Sequence, residues 1–188
     1  MIARPPLLVL VGGAPGAGKT TLAFRLGTGL QLPVLSRDAI KDGLAESRGI
    51  ADPVQGRTLA GPTFALFYGT IGRFLDAGCS LVAEHAFWRG HSEADLMPLV
   101  ARARSVYVHC RLPRDEHVRR CAARLEGGGA RHGSHPDAEV LSRMRAGTFP
   151  WADFDPPDLG IPTIPVDTNT TADLLPGLEA LTHRIRAL

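Results

Sequence analysis

Residues 13–20 read Gly-Ala-Pro-Gly-Ala-Gly-Lys-Thr, a complete GxxxxGK[ST] pattern. The apolar run Leu7-Leu8-Val9-Leu10-Val11 comes before it, and Thr21-Leu22-Ala23-Phe24-Arg25-Leu26 follows with helical character. Few features restrict a fold as much. A buried strand must run into a glycine turn whose successive N–H groups point inward, at the positive end of the next helix. That arrangement is a nest for phosphate oxygens. Gly13, Ala14, Pro15, Gly16, Ala17, Gly18, Lys19, Thr20 and Thr21 are therefore assigned to the phosphates of a nucleoside triphosphate. Lys19 would reach the β- and γ-phosphates, and the Thr20 hydroxyl would ligate Mg²⁺. A glycine turn carrying a surface lysine is the plain alternative, but it would require neither flank.

Elsewhere apolar runs alternate with longer helical patterns, the mark of βαβ units and a parallel sheet. Strands are expected near Leu7–Gly12, Pro33–Ser36, Ser80–Glu84, Val106–Cys110 and Thr163–Val166. Helices are expected over Lys19–Leu30, Arg37–Ser47, Gln55–Ala77, Ser92–Ala101, Arg114–Leu125, Asp137–Ala146 and Ala172–Ala187. Gly61-Pro62 should bend or split the third of these. A length of 188 residues with 44% hydrophobic content suits one domain, possibly with a small lid. A net charge of +2 is too small to mark a surface that coats nucleic acid. Three cysteines, Cys79, Cys110 and Cys121, form no CxxC pair, so a reducing compartment fits best. No export signal precedes the glycine turn and no apolar run approaches the ~20 residues of a membrane span, so a cytoplasmic protein with no membrane partner is expected.

The chemistry beyond the phosphates rests on carboxylates and arginines. Asp38 stands where the second strand gives way to a helix, and in open α/β sheets that end of the strands lines the ligand crevice. There it could take the proton of a substrate hydroxyl as the oxygen attacks a γ-phosphate. It could equally be a helix N-cap, and spacing alone leaves both readings open. Lys41, one turn on, could hold substrate charge. Glu84 ends the third strand, where it could orient metal-bound water or bind a hydroxyl, or serve as a buried structural carboxylate. His85, Trp88 and Arg89 follow it as candidate substrate contacts. Arg120 and Arg124 share a helix face at i, i+4. Arg131 lies in the stretch Gly127–His135, which could close over phosphates as a lid or be an ordinary surface loop. Phe149, Trp151 and Phe154 fit packing better than stacking on a ligand.

With these residues placed, the chain resembles the small P-loop kinases of the AAA-type predicted-kinase group, which are related to chloramphenicol phosphotransferase, zeta toxins and polynucleotide kinase domains. The resemblance covers nearly the whole chain. It rests on residues 13–21, Leu-Ser-Arg-Asp-Ala-Ile-Lys at 35–41, Ala-Glu-His-Ala-Phe at 83–87, the Arg120/Arg124 pair, Arg-His-Gly-Ser-His at 131–135 and Val-Asp-Thr at 166–168. It implies a three-layer α/β/α fold over residues 1–188 with a five-stranded parallel sheet in the order 2-3-1-4-5 and a helical lid near 120–137. It also implies ATP and Mg²⁺ as cofactors and transfer of the γ-phosphate to a hydroxyl on a small molecule, with nucleic acid less favoured as acceptor. Asp38 becomes the general base. Lys19, Arg124 and Arg131 join it in catalysis, and Arg120, Asp167 and Thr168 border the nucleotide. Arg37, Lys41, Glu84, His85 and Arg89 fall to the acceptor. Two departures stand out. Many relatives carry Asp or Asn where this chain has Glu84-His85-Ala86, and Lys41 stands where polynucleotide kinases have an arginine. A polynucleotide or nucleoside 5′-hydroxyl kinase, and a nucleotide-dependent switch without phosphotransfer, are the rival readings.

Overall fold

The computed structural model describes residues 4–127, 133–170, 174 and 176–188. Five strands, β1 (Leu7–Gly12), β2 (Val34–Ser36), β3 (Leu81–Glu84), β4 (Arg104–Arg111) and β5 (Thr163–Asp167), form one sheet in the order β2-β3-β1-β4-β5. Every neighbouring pair is parallel. Fold class and strand order therefore match the sequence reading, and the strand limits agree with it to within two residues. Pro165 lies in β5, which pairs with β4 alone; on an edge strand a missing N–H leaves no neighbour unsatisfied.

Parallel strands need both faces covered, and the alternation along β1 shows how this is done. Leu7, Val9 and Val11 point to one face, where α1 (Lys19–Leu30) and α8 (Leu178–Arg186) bring Leu22, Leu26, Leu181 and Ile185. Leu8 and Leu10 point to the other, against Phe67 and Ile71 of α4 (Ala60–Asp76) and Leu96 of α5 (Glu93–Val100). The result is three layers. Leu8 and Leu10 are fully buried, and truncating either to alanine should cost about 2–5 kcal/mol. A third, smaller cluster joins α6 (Arg114–Glu126) to α7 (Asp137–Arg145) through Cys121, Leu141 and Met144, and includes Ala14 of the glycine turn. Among the described residues no helix is long and apolar enough to cross a membrane.

Two helices differ from expectation. The long third helix is divided into α3 (Pro53–Gly56), a 3₁₀ turn (Arg57–Leu59) and α4, with α2 (Arg37–Ser47) packed beside the last of these. The break falls before Gly61-Pro62, so Pro62 sits in the first turn of α4, where a missing N–H costs no helical bond. The last helix is described from Leu178, after Pro176-Gly177; residues 172, 173 and 175 of its expected span lie outside the described residues. Phe149, Trp151 and Phe154 pack as expected: Phe149 stacks on Phe154 at 5.1 Å, and the Phe149 and Trp151 centroids are 4.7 Å apart.

Candidate functional site

Between β1 and α1 the chain turns back on itself with Gly16 and Gly18 in the left-handed region, at φ 84° and 75°. Gly16 is doubly constrained, since a Cβ there would lie 3.1 Å from Cys121 Sγ and 3.2 Å from the His117 carbonyl. The turn is held from behind by two side chains. His117 Nδ1 lies 2.7 Å from the Pro15 carbonyl, which can only accept, so this nitrogen carries the proton. Burial holds the His117 pKa below its usual value, consistent with a neutral ring. The Thr168 hydroxyl lies 2.9 Å from the carbonyl oxygens of both Ala17 and Arg111, tying the turn to the end of β5. Lys19 Nζ donates to the Ala14 carbonyl at 3.1 Å, across the mouth of the nest. The backbone thus has the curvature, and the following helix end the polarity, that a polyphosphate requires.

On the other side of the turn stand the carboxylates. Ser36 and Glu84 are register partners on β2 and β3, and Ser36 Oγ donates to Glu84 Oε2 at 2.8 Å. Glu84 is 2% exposed, so the hydroxyl offsets part of its desolvation. Asp38 is the second residue of α2 and the cap position belongs to Ser36, which disposes of the capping role for Asp38. Its carboxylate lies 3.2 Å from Arg37 Nη1. Lys19, Thr20, Asp38, Glu84, Arg120 and Arg124 all line one cavity of about 420 Å³. A groove of about 610 Å³ continues from it along Gly18, Thr21, Arg120, Thr168 and Asn169.

Arg120 joins the two spaces. Its Nε donates to Glu116 at 2.9 Å, and its Nη2 donates to the carbonyls of Thr168 and Asn169 at 2.9 and 2.7 Å. Arg119 and Arg120 together pull the Glu116 pKa down to about 2. Arg124 Nη2 lies 3.2 Å from Asp137 Oδ2, so the first residue of α7 holds the arginine at the cavity wall. Arg131 falls outside the described residues. Thr168 lines the groove as expected. The Asp167 carboxylate instead accepts the Asn169 N–H at 2.8 Å and shapes the turn.

The acceptor-side residues separate. Arg37 lies over the Phe64 ring, 4.8 Å from its centroid, beside Asp38. Lys41 is 5% exposed and donates to the Ser134 carbonyl at 2.8 Å, tying α2 to the end of the 127–135 stretch instead of lining the cavity. His85 is buried among Phe64, Phe67 and Phe87, with the Phe64 and Phe87 centroids both 5.4 Å away. The Arg89 N–H donates to the Asp153 carbonyl at 2.8 Å, and Trp88 meets Phe154 edge-on. Four residues that sequence reasoning passed over belong to the site: Phe24 and Asp42 in the cavity wall, Ser36 on Glu84, and His117 under the turn. His117 had a legible signal, since it precedes Arg120 and Arg124 at helical spacing. Asp42 repeats Asp38 one turn along α2 and pairs with His135 Nε2 at 2.7 Å.

A family model for an AAA domain matches residues 8–150. No curated protein matches the chain. Among solved structures, a candidate kinase from Chloroflexus aurantiacus j-10-fl is 30% identical, with a TM-score of 0.85 over 98% of each chain. A gluconokinase from Sinorhizobium meliloti 1021 is 19% identical, with a TM-score of 0.58 over 97% of this chain and 95% of its own. A sugar kinase from Janibacter sp. HTCC2649 is 18% identical, with a TM-score of 0.57 over 96% and 92%. The last two share the fold. With its phosphate turn, strand order and arginine-bearing α6, the chain has the P-loop kinase fold and belongs to the AAA domain family AAA_33.

Proposed function

We propose that the protein is an ATP- and Mg²⁺-dependent phosphotransferase that moves the γ-phosphate to a hydroxyl of a small molecule. Residues 1–188 act as one kinase domain, with a lid over roughly 120–137. The observation that carries this reading is the meeting of Lys19, Thr20, Asp38, Glu84, Arg120 and Arg124 around one cavity beside the phosphate turn. Phosphoryl transfer needs little covalent help from a protein; it needs alignment and positive charge around the moving group. Lys19 and Arg124 supply that charge, and Arg120 anchors the nucleotide end by holding the Thr168–Asn169 backbone. Asp38 orients the acceptor hydroxyl and takes its proton.

The residues present also suit the metal. Among the described residues no three His, Cys, Asp or Glu side chains gather to hold an ion alone. Mg²⁺ is bound in such sites mainly by nucleotide phosphates and water with few protein ligands, and the Thr20 hydroxyl would be one. When bound, the ion neutralises charge on the phosphates. Glu84, fixed by Ser36, would orient a water of that shell or a substrate hydroxyl.

The relatives named as a gluconokinase and a sugar kinase favour a polyhydroxylated small molecule as acceptor. The polynucleotide reading drew on Lys41 beside Asp38, and Lys41 turns instead to the Ser134 carbonyl. The test is ADP release by purified protein with MgATP against sugars and sugar acids, nucleosides, 5′-hydroxyl oligonucleotides and hydroxyl-bearing antibiotics. A response to one class that Lys19→Ala abolishes is the expected result. ATP binding with no stimulation by any class would reject transfer in favour of a switch.

A further inference from the structure

We propose a second anion site on the far side of the phosphate turn, which takes a phosphate group as free phosphate or as the terminal group of a small phosphomonoester. A cavity of about 380 Å³ opens there between the end of β4, the first turn of α6 and the 151–155 segment. Its polar wall is His109, Arg111, Arg114 and His117, against a single carboxylate, Asp155. Two guanidinium groups and one carboxylate leave the space positive even with both imidazoles neutral. Guanidinium groups are recurrent partners of phosphate oxygens, and here two of them come from two different elements.

Two imidazoles of the wall have capacity left over. His109 lines the cavity, and its Nδ1 is shut off from solvent without a hydrogen-bond partner, so a ligand reaches that nitrogen only if the ring turns. The neutral His117 ring gives its only proton to Pro15, so its Nε2 is an acceptor until it is protonated. Burial holds both imidazoles below their usual pKa. Asp155 draws the His109 value up, while Arg111 and His117 push it down; Lys19 and Arg120 lower that of His117 and Glu116 raises it. An entering phosphate reverses the balance at both rings. Binding is therefore linked to protonation of the rings, while the phosphate's own second ionisation, at about pH 6 for a monoester, acts in the opposite direction over the same range.

The site is not isolated from the proposed catalytic cavity. Ala14 forms part of its wall, His117 holds Pro15, and the 151–155 segment receives the Arg89 N–H at Asp153. An occupant touches the back of the phosphate turn and the segment behind Trp88 and Arg89 at once. The proposal requires no phosphotransfer, so it stands or falls separately from the kinase reading.

The test loads the whole protein with Mg²⁺ and a saturating non-hydrolysable ATP analogue, which fills the phosphate turn. Inorganic phosphate and glycerol 3-phosphate are then titrated calorimetrically at pH 8, 7 and 6, with chloride at equal ionic strength as control. The expected result is one phosphate per chain and at least about a tenfold loss in Arg111→Gln/Arg114→Gln. Binding of both probes assigns the site to any phosphate group; binding of one alone names its source. No saturable binding, equal competition by chloride, or unchanged affinity in the double variant would overturn the proposal. Both arginines are exposed, but Arg114 lies over the Trp151 ring, 5.5 Å from its centroid. A thermal melt of the variant at the wild-type Tm is therefore the control that separates lost binding from lost packing.

Discussion

The phosphate side of the cavity comes from one stretch of chain, Gly13 to Thr21, whereas the opposite side is collected from distant places: Asp38 on α2, Glu84 at the end of β3, and Arg124 on α6 steadied by Asp137 on α7. The first is made largely of backbone. Its shape follows from glycine conformations and a helix end, and the rest of the fold only buttresses it through His117 and Thr168. The second is made of side chains whose spacing depends on strand register and on how two helices pack. A half built of backbone can serve any nucleotide-binding fold, while a half built of side chains can differ from one such fold to the next.

That contrast can be broken in measurable steps. The largest effect should come from the acceptor half: Asp38→Asn is expected to lower kcat by about 10²–10⁴ while nucleotide affinity, read by fluorescent-analogue titration, stays unchanged. Wild-type turnover in Asp38→Asn would remove the general-base role. On the phosphate half, Lys19→Ala should reduce turnover by about 10²–10³ and weaken ATP binding as well, because its charge meets the nucleotide in both ground and transition state. Gly16→Ala should weaken ATP binding roughly tenfold, since a residue with a Cβ is disfavoured by ~1–2 kcal/mol at this positive φ. An unchanged Kd for that variant would show that the turn is not as locally determined as its φ angles imply.

Smaller effects sharpen the comparison. Ser36→Ala removes a buried hydrogen bond to Glu84 and should destabilise the chain by about 1–3 kcal/mol in denaturant titration, with nucleotide affinity spared. The smallest effect is on pH dependence. His109 and His117 have pKa values depressed by burial, so the unfolded chain binds more protons than the native one. Stability should thus fall as the pH drops below the ordinary histidine value of about 6.5. Between pH 7.5 and 5.5 the loss of Tm should be smaller by roughly a few degrees in His117→Gln than in wild type.

Much of this was legible in the residues. β1, the turn and α1 form one uninterrupted local pattern, and the alternation of apolar runs with helical ones was enough for the parallel sheet. The helix limits were less so. Gly61-Pro62 marks a boundary correctly, but proline is tolerated in a first turn as well as excluded from an interior, and only packing of α4 on α2 decided that the helix starts at Ala60. Lys41 illustrates the same limit at the site. One turn from Asp38 it could face the same cavity, yet a carbonyl from residue 134 captures it. Ser36 and Glu84 lie 48 positions apart and meet only because β2 and β3 pair in one register.

The sequence by itself determined the nucleotide half, because glycine placement, lysine and helix start act within a single turn of chain. It also determined the layer order, through which residues must leave water. Tertiary structure alone decided which of several polar residues near Asp38 face the cavity, that His117 supports the turn from behind, and that Arg120 binds the end of β5. Those outcomes depend on distances between elements far apart in the chain, which register and helix packing set and which local spacing does not carry.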